Sequence, residues 1–110
     1  MPGTIHHVAL DVPNFDWYCR FFQEVFEMTP ERKKGEAPRR QIWFAEGIQL
    51  NEVATQGEHG GMYSHLGIAS DDWDTVIARA RAMGCRQYEE KKHWFDTPDG
   101  YAIELKKPRE

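Results

Sequence analysis

Short stretches in which apolar and polar residues alternate mark strands along this chain, and two stretches of helical spacing separate them. Residues 4–12 alternate, with Ile5, His7, Ala9 and Asp11 on one face and His6, Val8, Leu10 and Val12 on the other. Asn14 is placed to cap a helix and Asp16 falls in its first turn. Phe15, Tyr18, Cys19, Phe22, Val25 and Phe26 then recur at helical spacing through about Glu27. Residues 29–40 are polar and basic, broken by Pro30, Gly35 and Pro38, so one exposed strand and a loop are expected there. Residues 40–45 predict a strand, Glu46-Gly47 a tight turn, and residues 48–53 its antiparallel partner.

A glycine-rich connector, residues 55–62, divides the chain, and the pattern then starts again. Residues 63–69 predict a strand. Asp71 or Asp72 caps a helix carrying Trp73, Val76, Ile77, Ala80 and Met83, and Gly84 stands where a C′ glycine ends it. Short strands are expected over 85–89 and 93–96. The turn Thr97-Pro98-Asp99-Gly100 leads into a last strand over 101–106. The spacing from His7 to Asp16 equals that from His65 to Asp74, and Trp43-Phe44 corresponds to Trp94-Phe95. Strand, helix and two or three strands, performed twice, predict an α+β fold with helices on one face of a mixed, strongly curved sheet. The organisation expected is one domain over residues 1–110, with module 1 over about 4–54 and module 2 over about 62–108.

Alternation also assigns faces. Val8 and Leu10, Ile48 and Leu50, Leu66 and Ile68, and Ile103 and Leu105 go to the helix side. His7, Gln49, His65 and Glu104 then share the face that the helices leave open, and Ala9, Gly47, Gly67 and Ala102 beside them leave room for a ligand. Each of the four is unremarkable singly. Together, in repeat-related positions, two imidazoles, one amide oxygen and one carboxylate suit a divalent cation; Mn, Co, Ni, Fe, Mg and Zn all fit such a set. Gln41 and Trp43 share the face of Gln49 and are expected to line a substrate pocket, with Asn51 and Asp11 at its rim. His59 and His93 join the site only if their loops fold onto it, which nothing in their spacing demands, and they are read as surface histidines.

The chain has 110 residues, 40% hydrophobic and 13% aromatic, which suits a folded domain with a modest core. A net charge of −4 argues against a nucleic-acid binder. No apolar run approaches the roughly 20 residues that span a bilayer, and the opening residues carry no secretory pattern. Cys19 and Cys85 lie far apart outside any CxxC, so two reduced thiols in a cytoplasmic protein are expected. Arg32, Lys33, Lys34, Arg39 and Arg40 make a basic run that fits a solvated edge strand, with attraction of an anionic substrate as the other reading.

IHHVALDV, SHLGIASDD and TPDGYAIEL resemble the vicinal oxygen chelate superfamily, the group of glyoxalase I and methylmalonyl-CoA epimerase, over nearly the whole chain. The resemblance implies two βαβββ modules around one divalent metal, held by residues that match His7, Gln49, His65 and Glu104. It implies a homodimer too, many members being dimers. The amide at Gln49 is closest to the epimerase pattern. Gln41 stands where the epimerase carries its catalytic Glu, and a neutral amide is no general base. Asp11 stands where glyoxalase I has an arginine for its glutathione adduct.

The function expected is therefore a metal-dependent isomerase or lyase acting on a small, anionic, oxygenated acid through an enediolate-like intermediate, with Glu104 as ligand and base. Two alternatives come from the same superfamily. One is an Fe(II) extradiol-type dioxygenase using His7, His65 and Glu104, against which Gln49 argues by taking an open position. The other is an antibiotic-resistance protein, binding or modifying its drug.

Overall fold

The computed structural model describes residues 5–55 and 65–108. The chain divides into two compact units, residues 1–61 and 62–110. In unit 1 the elements run β1 (Val8–Val12), α1 (Phe15–Glu24), β2 (Pro30–Lys34), β3 (Gln41–Phe44) and β4 (Ile48–Glu52). In unit 2 they run β5 (Leu66–Ala69), α2 (Trp73–Ala82), β6 (Arg86–Gln87), β7 (Trp94–Asp96) and β8 (Ala102–Lys106). Each unit forms its own four-stranded sheet, ordered β1-β4-β3-β2 and β5-β8-β7-β6. The first and last strands of a unit pair in parallel, and the remaining pairs are antiparallel. The two sheets thus share one topology, as the repeated pattern predicts.

Burial follows the alternation except at Val8, which the pattern sends to the helix side and which is exposed. Leu10, Val12, Ile42, Phe44, Ile48 and Leu50 are buried in unit 1 together with Phe15, Tyr18, Phe21 and Phe22 of α1. Within α1, Phe21 meets Phe22 edge to face with centroids 5.1 Å apart and stacks on Trp17 at 4.9 Å. In unit 2, Val76 and Ala80 of α2 are buried with Phe95, Ile103 and Leu105. Intervening strand residues such as Ala9, Gln49, Gly67 and Glu104 are only partly covered or exposed, which leaves one polar face on each sheet.

Some boundaries differ from the sequence pattern. Helix α1 stops at Glu24, its C-cap is Val25, and Glu27 reverses the chain with φ of 55°. Phe26 still packs 5.6 Å from the Phe21 ring, so the helical spacing runs on into the cap. Asn14 is the N-cap position but makes no side-chain cap hydrogen bond, whereas the Asp72 carboxylate accepts from the Thr75 N–H at 3.2 Å. Strand β1 begins only at Val8, and β6 shrinks to two residues. Residues 63 and 64, expected in the fifth strand, lie outside the described residues.

Two glycines hold strands in register. Gly47 has φ of 108° in the β3–β4 turn, and its carbonyl accepts from Val8 N–H at 2.8 Å. Gly100 has φ of 90°, and its N–H closes the 97–100 turn on the Thr97 carbonyl at 2.9 Å.

Candidate functional site

On the polar face of unit 1 the register lays side chains in two rows. Ala9 lies across from Gln49, Gln49 from Trp43, and Trp43 from Arg32. One pair further along, Asp11 lies across from Asn51, Asn51 from Gln41, and Gln41 from Lys34. Directly paired residues share a face of the sheet, so both rows are contiguous.

Hydrogen bonds fix the amides in these rows. The Trp43 indole N–H donates to Gln49 Oε1 at 2.8 Å. Gln49 Nε2 donates to Asn51 Oδ1 at 2.8 Å, and Gln41 Nε2 donates to the same oxygen at 2.9 Å. Asn51 Nδ2 in turn donates to Asp11 Oδ1 at 3.2 Å. An indole nitrogen can only donate, so the Gln49 atom facing it is the oxygen. That oxygen keeps a second lone pair. Trp43 also carries the Arg32 guanidinium over its ring, 4.8 Å from the centroid.

His7 sits just before β1 and is exposed. Its Nδ1 lies 2.9 Å from His6 Nδ1, which leaves Nε2 as the ring nitrogen that His6 does not engage. A metal-binding imidazole ordinarily has its other nitrogen held by a neighbour in this way.

Unit 2 repeats the arrangement. Glu104 lies between Gly67 on β5 and Trp94 on β7, the register positions that Ala9 and Trp43 hold around Gln49. Its side chain is 20% exposed, and His65 Nε2 stands 3.5 Å from Oε1. His93 Nε2 stands 3.8 Å from Oε2. Trp94 packs against the His65 ring with centroids 4.6 Å apart, and Trp73 stacks on His93 at 5.6 Å. No lysine or arginine pairs with Glu104 among the described residues. Within either unit, the described His, Cys, Asp and Glu side chains form no metal-binding group of three.

His93 corrects the sequence reading. Its side chain is 38% exposed, yet it stands beside Glu104, and its carbonyl accepts from Leu105 N–H at 2.8 Å. It belongs to the turn before β7, which begins at Trp94, one residue later than the strand expected over 93–96. The only signal available was its adjacency to Trp94. His59 lies outside the described residues.

The basic run also divides. Arg40 donates to Glu52 Oε2 and to Asp16 Oδ1, each at 2.8 Å, and lies 4.7 Å above the Phe15 ring. It is a structural tie, and its hydrogen bonds hold the Glu52 carboxyl below the usual carboxylate range. Arg32 and Lys34 stand instead on the polar face of β2, a fully exposed edge strand. Neither cysteine is disulfide-bonded. Burial pushes the Cys19 thiol up to about 11 and the Cys85 thiol up to about 12. Among the described residues no helix is long and apolar enough to cross a membrane.

No curated protein matches the chain. Among solved structures it is similar to the fosfomycin resistance protein FosX from Mesorhizobium loti, with 18% identity, a TM-score of 0.77, and coverage of 99% of this chain and 94% of that one. It is similar to the trypanothione-dependent glyoxalase I of Leishmania major, at 24% identity and a TM-score of 0.73, over 96% of this chain and 87% of that one. A mutant FosX from Listeria monocytogenes, complexed with Mn(II) and 1S,2S-dihydroxypropylphosphonic acid, matches at 21% identity and a TM-score of 0.74, over 99% and 95% of the two chains. These likenesses establish the glyoxalase-like fold. The sequence model of the glyoxalase-like domain matches residues 7–105, and this protein therefore belongs to that family, within the vicinal oxygen chelate superfamily.

Proposed function

We propose that the protein is a divalent-metal-dependent isomerase or lyase of the glyoxalase and epimerase type. Its substrate is a small, anionic, oxygenated acid, and the reaction passes through an enediolate-like intermediate. His7, Gln49, His65 and Glu104 hold the metal, with residues 1–110 working as one domain and the chain as a homodimer. The observation that carries this reading is the repeated register: Gln49 between Ala9 and Trp43, and Glu104 between Gly67 and Trp94. An oxygen donor recurs at the matching place of each unit, with a histidine at the head of the parallel strand beside it.

The donor chemistry fits a divalent ion. A half-buried carboxylate with two imidazoles near it, and no lysine or arginine paired with it among the described residues, is short of positive charge, and Gln49 Oε1 is oriented with a lone pair to spare. Mn, Co, Ni, Fe, Mg and Zn are all acceptable to this set. The metal would supply Lewis acidity, which lowers the cost of removing a proton beside a carbonyl.

The protein's own residues do the rest. Glu104 takes the proton from the carbon onto a carboxylate oxygen and returns it, while His65 faces that carboxylate. Gln41, which cannot take a proton, holds Asn51 and so orients the amide of Gln49. Trp43 and Asn51 bound the space a substrate would occupy on this face.

Elemental analysis after loading with Mn(II) tests the metal centre. Wild type should retain close to one equivalent and His65→Ala much less. Equal and negligible retention by both removes the basis for the enzyme reading. A metal-dependent exchange of the C–H beside a carbonyl with solvent deuterium, followed by NMR over a panel of 2-hydroxy and 2-oxo acids, tests the chemistry.

A second reading is favoured by two of the similar structures being FosX proteins. The same residues would then serve an antibiotic-modifying enzyme. Consumption of fosfomycin by the Mn(II)-loaded protein, with no deuterium exchange on the acids, would select it.

A further inference from the structure

On its polar face, unit 1 has a cationic end that the proposed metal chemistry does not use. Arg32 and Lys34 pair across from Trp43 and Gln41, so their side chains rise on the same side of the sheet as Gln49. Lys33 pairs across from buried Ile42 and belongs to the other side. Arg32 is exposed, but its guanidinium has a defined place on this face. It lies 4.8 Å over the Trp43 ring, on the residue whose indole N–H holds Gln49 Oε1. No carboxylate pairs with Arg32 or Lys34 among the described residues, whereas the neighbouring Arg40 is taken up by Glu52 and Asp16. A guanidinium laid on an indole keeps its in-plane N–H groups for an anion.

Distance sets what that anion belongs to. Adjacent strands lie about 4.8 Å apart. Strand β2 is two strands from β4, and the Arg32 head leans back over β3. A group at Arg32 therefore sits roughly 5–10 Å from a ligand atom at Gln49. Free phosphate at the metal would not reach it. A molecule with oxygens at one end and an anionic group several bonds away would.

We propose that Arg32, with Lys34 beside it, is a distal anion subsite, and that the substrate carries a second anionic group several bonds from the oxygens that meet the metal. This rests on the metal-centre reading above for the near end of the substrate. It departs from an edge-decoration role for this basic pair by giving Arg32 a position and a partner.

The test compares 2-hydroxyglutarate with 2-hydroxybutyrate, which lacks the far carboxylate, by calorimetry on the Mn(II)-loaded full chain. Wild type should bind 2-hydroxyglutarate about tenfold more tightly, the scale of one charge-assisted contact. Arg32→Gln with Lys34→Gln should abolish that preference while leaving 2-hydroxybutyrate unchanged; both positions are on an exposed edge and should not disturb folding. A wild type without the preference, or a preference that survives the double substitution, overturns the proposal.

Glutarate, which has no 2-hydroxyl, separates this from failure of the metal centre. Titrated into metal-free protein, it should shift the Trp43 indole N–H resonance in wild type and not in the double variant. Identical responses from the two proteins overturn the subsite, whatever the metal experiments show. A glutarate response confined to wild type supports it even if both hydroxy acids prove indifferent to Mn(II).

Discussion

Trp43 shows at single-residue scale how an aromatic side chain can serve a polar site. Its N–H fixes which atom of Gln49 is the oxygen, and its ring carries Arg32. Trp43→Phe keeps the ring and removes the donor. Metal affinity should then fall roughly tenfold or more, as loss of a ligand's supporting hydrogen bond does in other metal sites. Calorimetric titration with Mn(II) measures it, and an unchanged affinity would remove Gln49 from the ligand set. The thiols give a second residue-scale outcome. In the folded chain Cys85 is held up at about 12 and Cys19 at about 11, against 9.0 for a free thiol. Between these values the unfolded chain binds fewer protons than the folded one, so stability falls as pH rises from about 9 towards 12. Urea midpoints across that range should decline, and less steeply in Cys85→Ala, which lacks the larger of the two shifts. At pH 8 both thiols should react slowly with iodoacetamide until the chain unfolds.

At the scale of elements, β4 is the strand on which unit 1 depends. It pairs with β1 on one side and β3 on the other, buries Ile48 and Leu50, and presents Gln49 and Asn51 to the open face. Gly47 delivers it. A Cβ there would stand 3.6 Å from the His6 carbonyl, which is ordinary contact, but φ of 108° is a conformation side chains rarely adopt. Gly47→Ala should therefore cost about 1–3 kcal/mol, measured by chemical denaturation, through backbone strain rather than a clash. An unchanged midpoint would mean that the turn relaxes without moving β4. This much was legible in the sequence, because Glu46-Gly47 between two alternating runs has a mechanism. So did the faces of β4 and β8, since burying Ile48 and Leu50 forces Gln49 outward. The hydrogen-bonded chain from Trp43 to Asp11 was not legible, because it depends on side-chain torsions that alternation does not fix. His93 escaped for another reason: the pattern opens a strand at 93, whereas β7 begins at Trp94 and leaves His93 in the turn before it. Arg32 and Arg40 sit in one basic run, and only the register separates the residue on the open face from the one locked to Glu52.

At the scale of the whole molecule, the repeat makes a statement that neither unit makes alone. Each carries an oxygen donor at equivalent register with a histidine just before the parallel strand beside it, and a zinc-type site takes at least three protein ligands. If one ion takes both pairs, binding it links the stability of the two units. Anything that binds only the folded state stabilises it by mass action, about 2.7 kcal/mol at a hundredfold excess over the dissociation constant. Loading with Mn(II) should accordingly raise the melting temperature. His7→Ala, from unit 1, and His65→Ala, from unit 2, should each abolish most of that rise without greatly changing the melting temperature of metal-free protein. The pattern discriminates sharply. If unit 2 held the ion by itself, through His65, His93 and Glu104, then His7→Ala would leave the rise intact while His93→Ala would remove it. With a site drawn from both units, the weights reverse. His7 becomes indispensable, and His93, standing 3.8 Å from the far oxygen of Glu104, modulates affinity only by steadying that carboxylate. Thermal unfolding of the three variants with and without Mn(II) therefore decides whether the duplicated pattern is one metal site divided between the units or a site complete within unit 2.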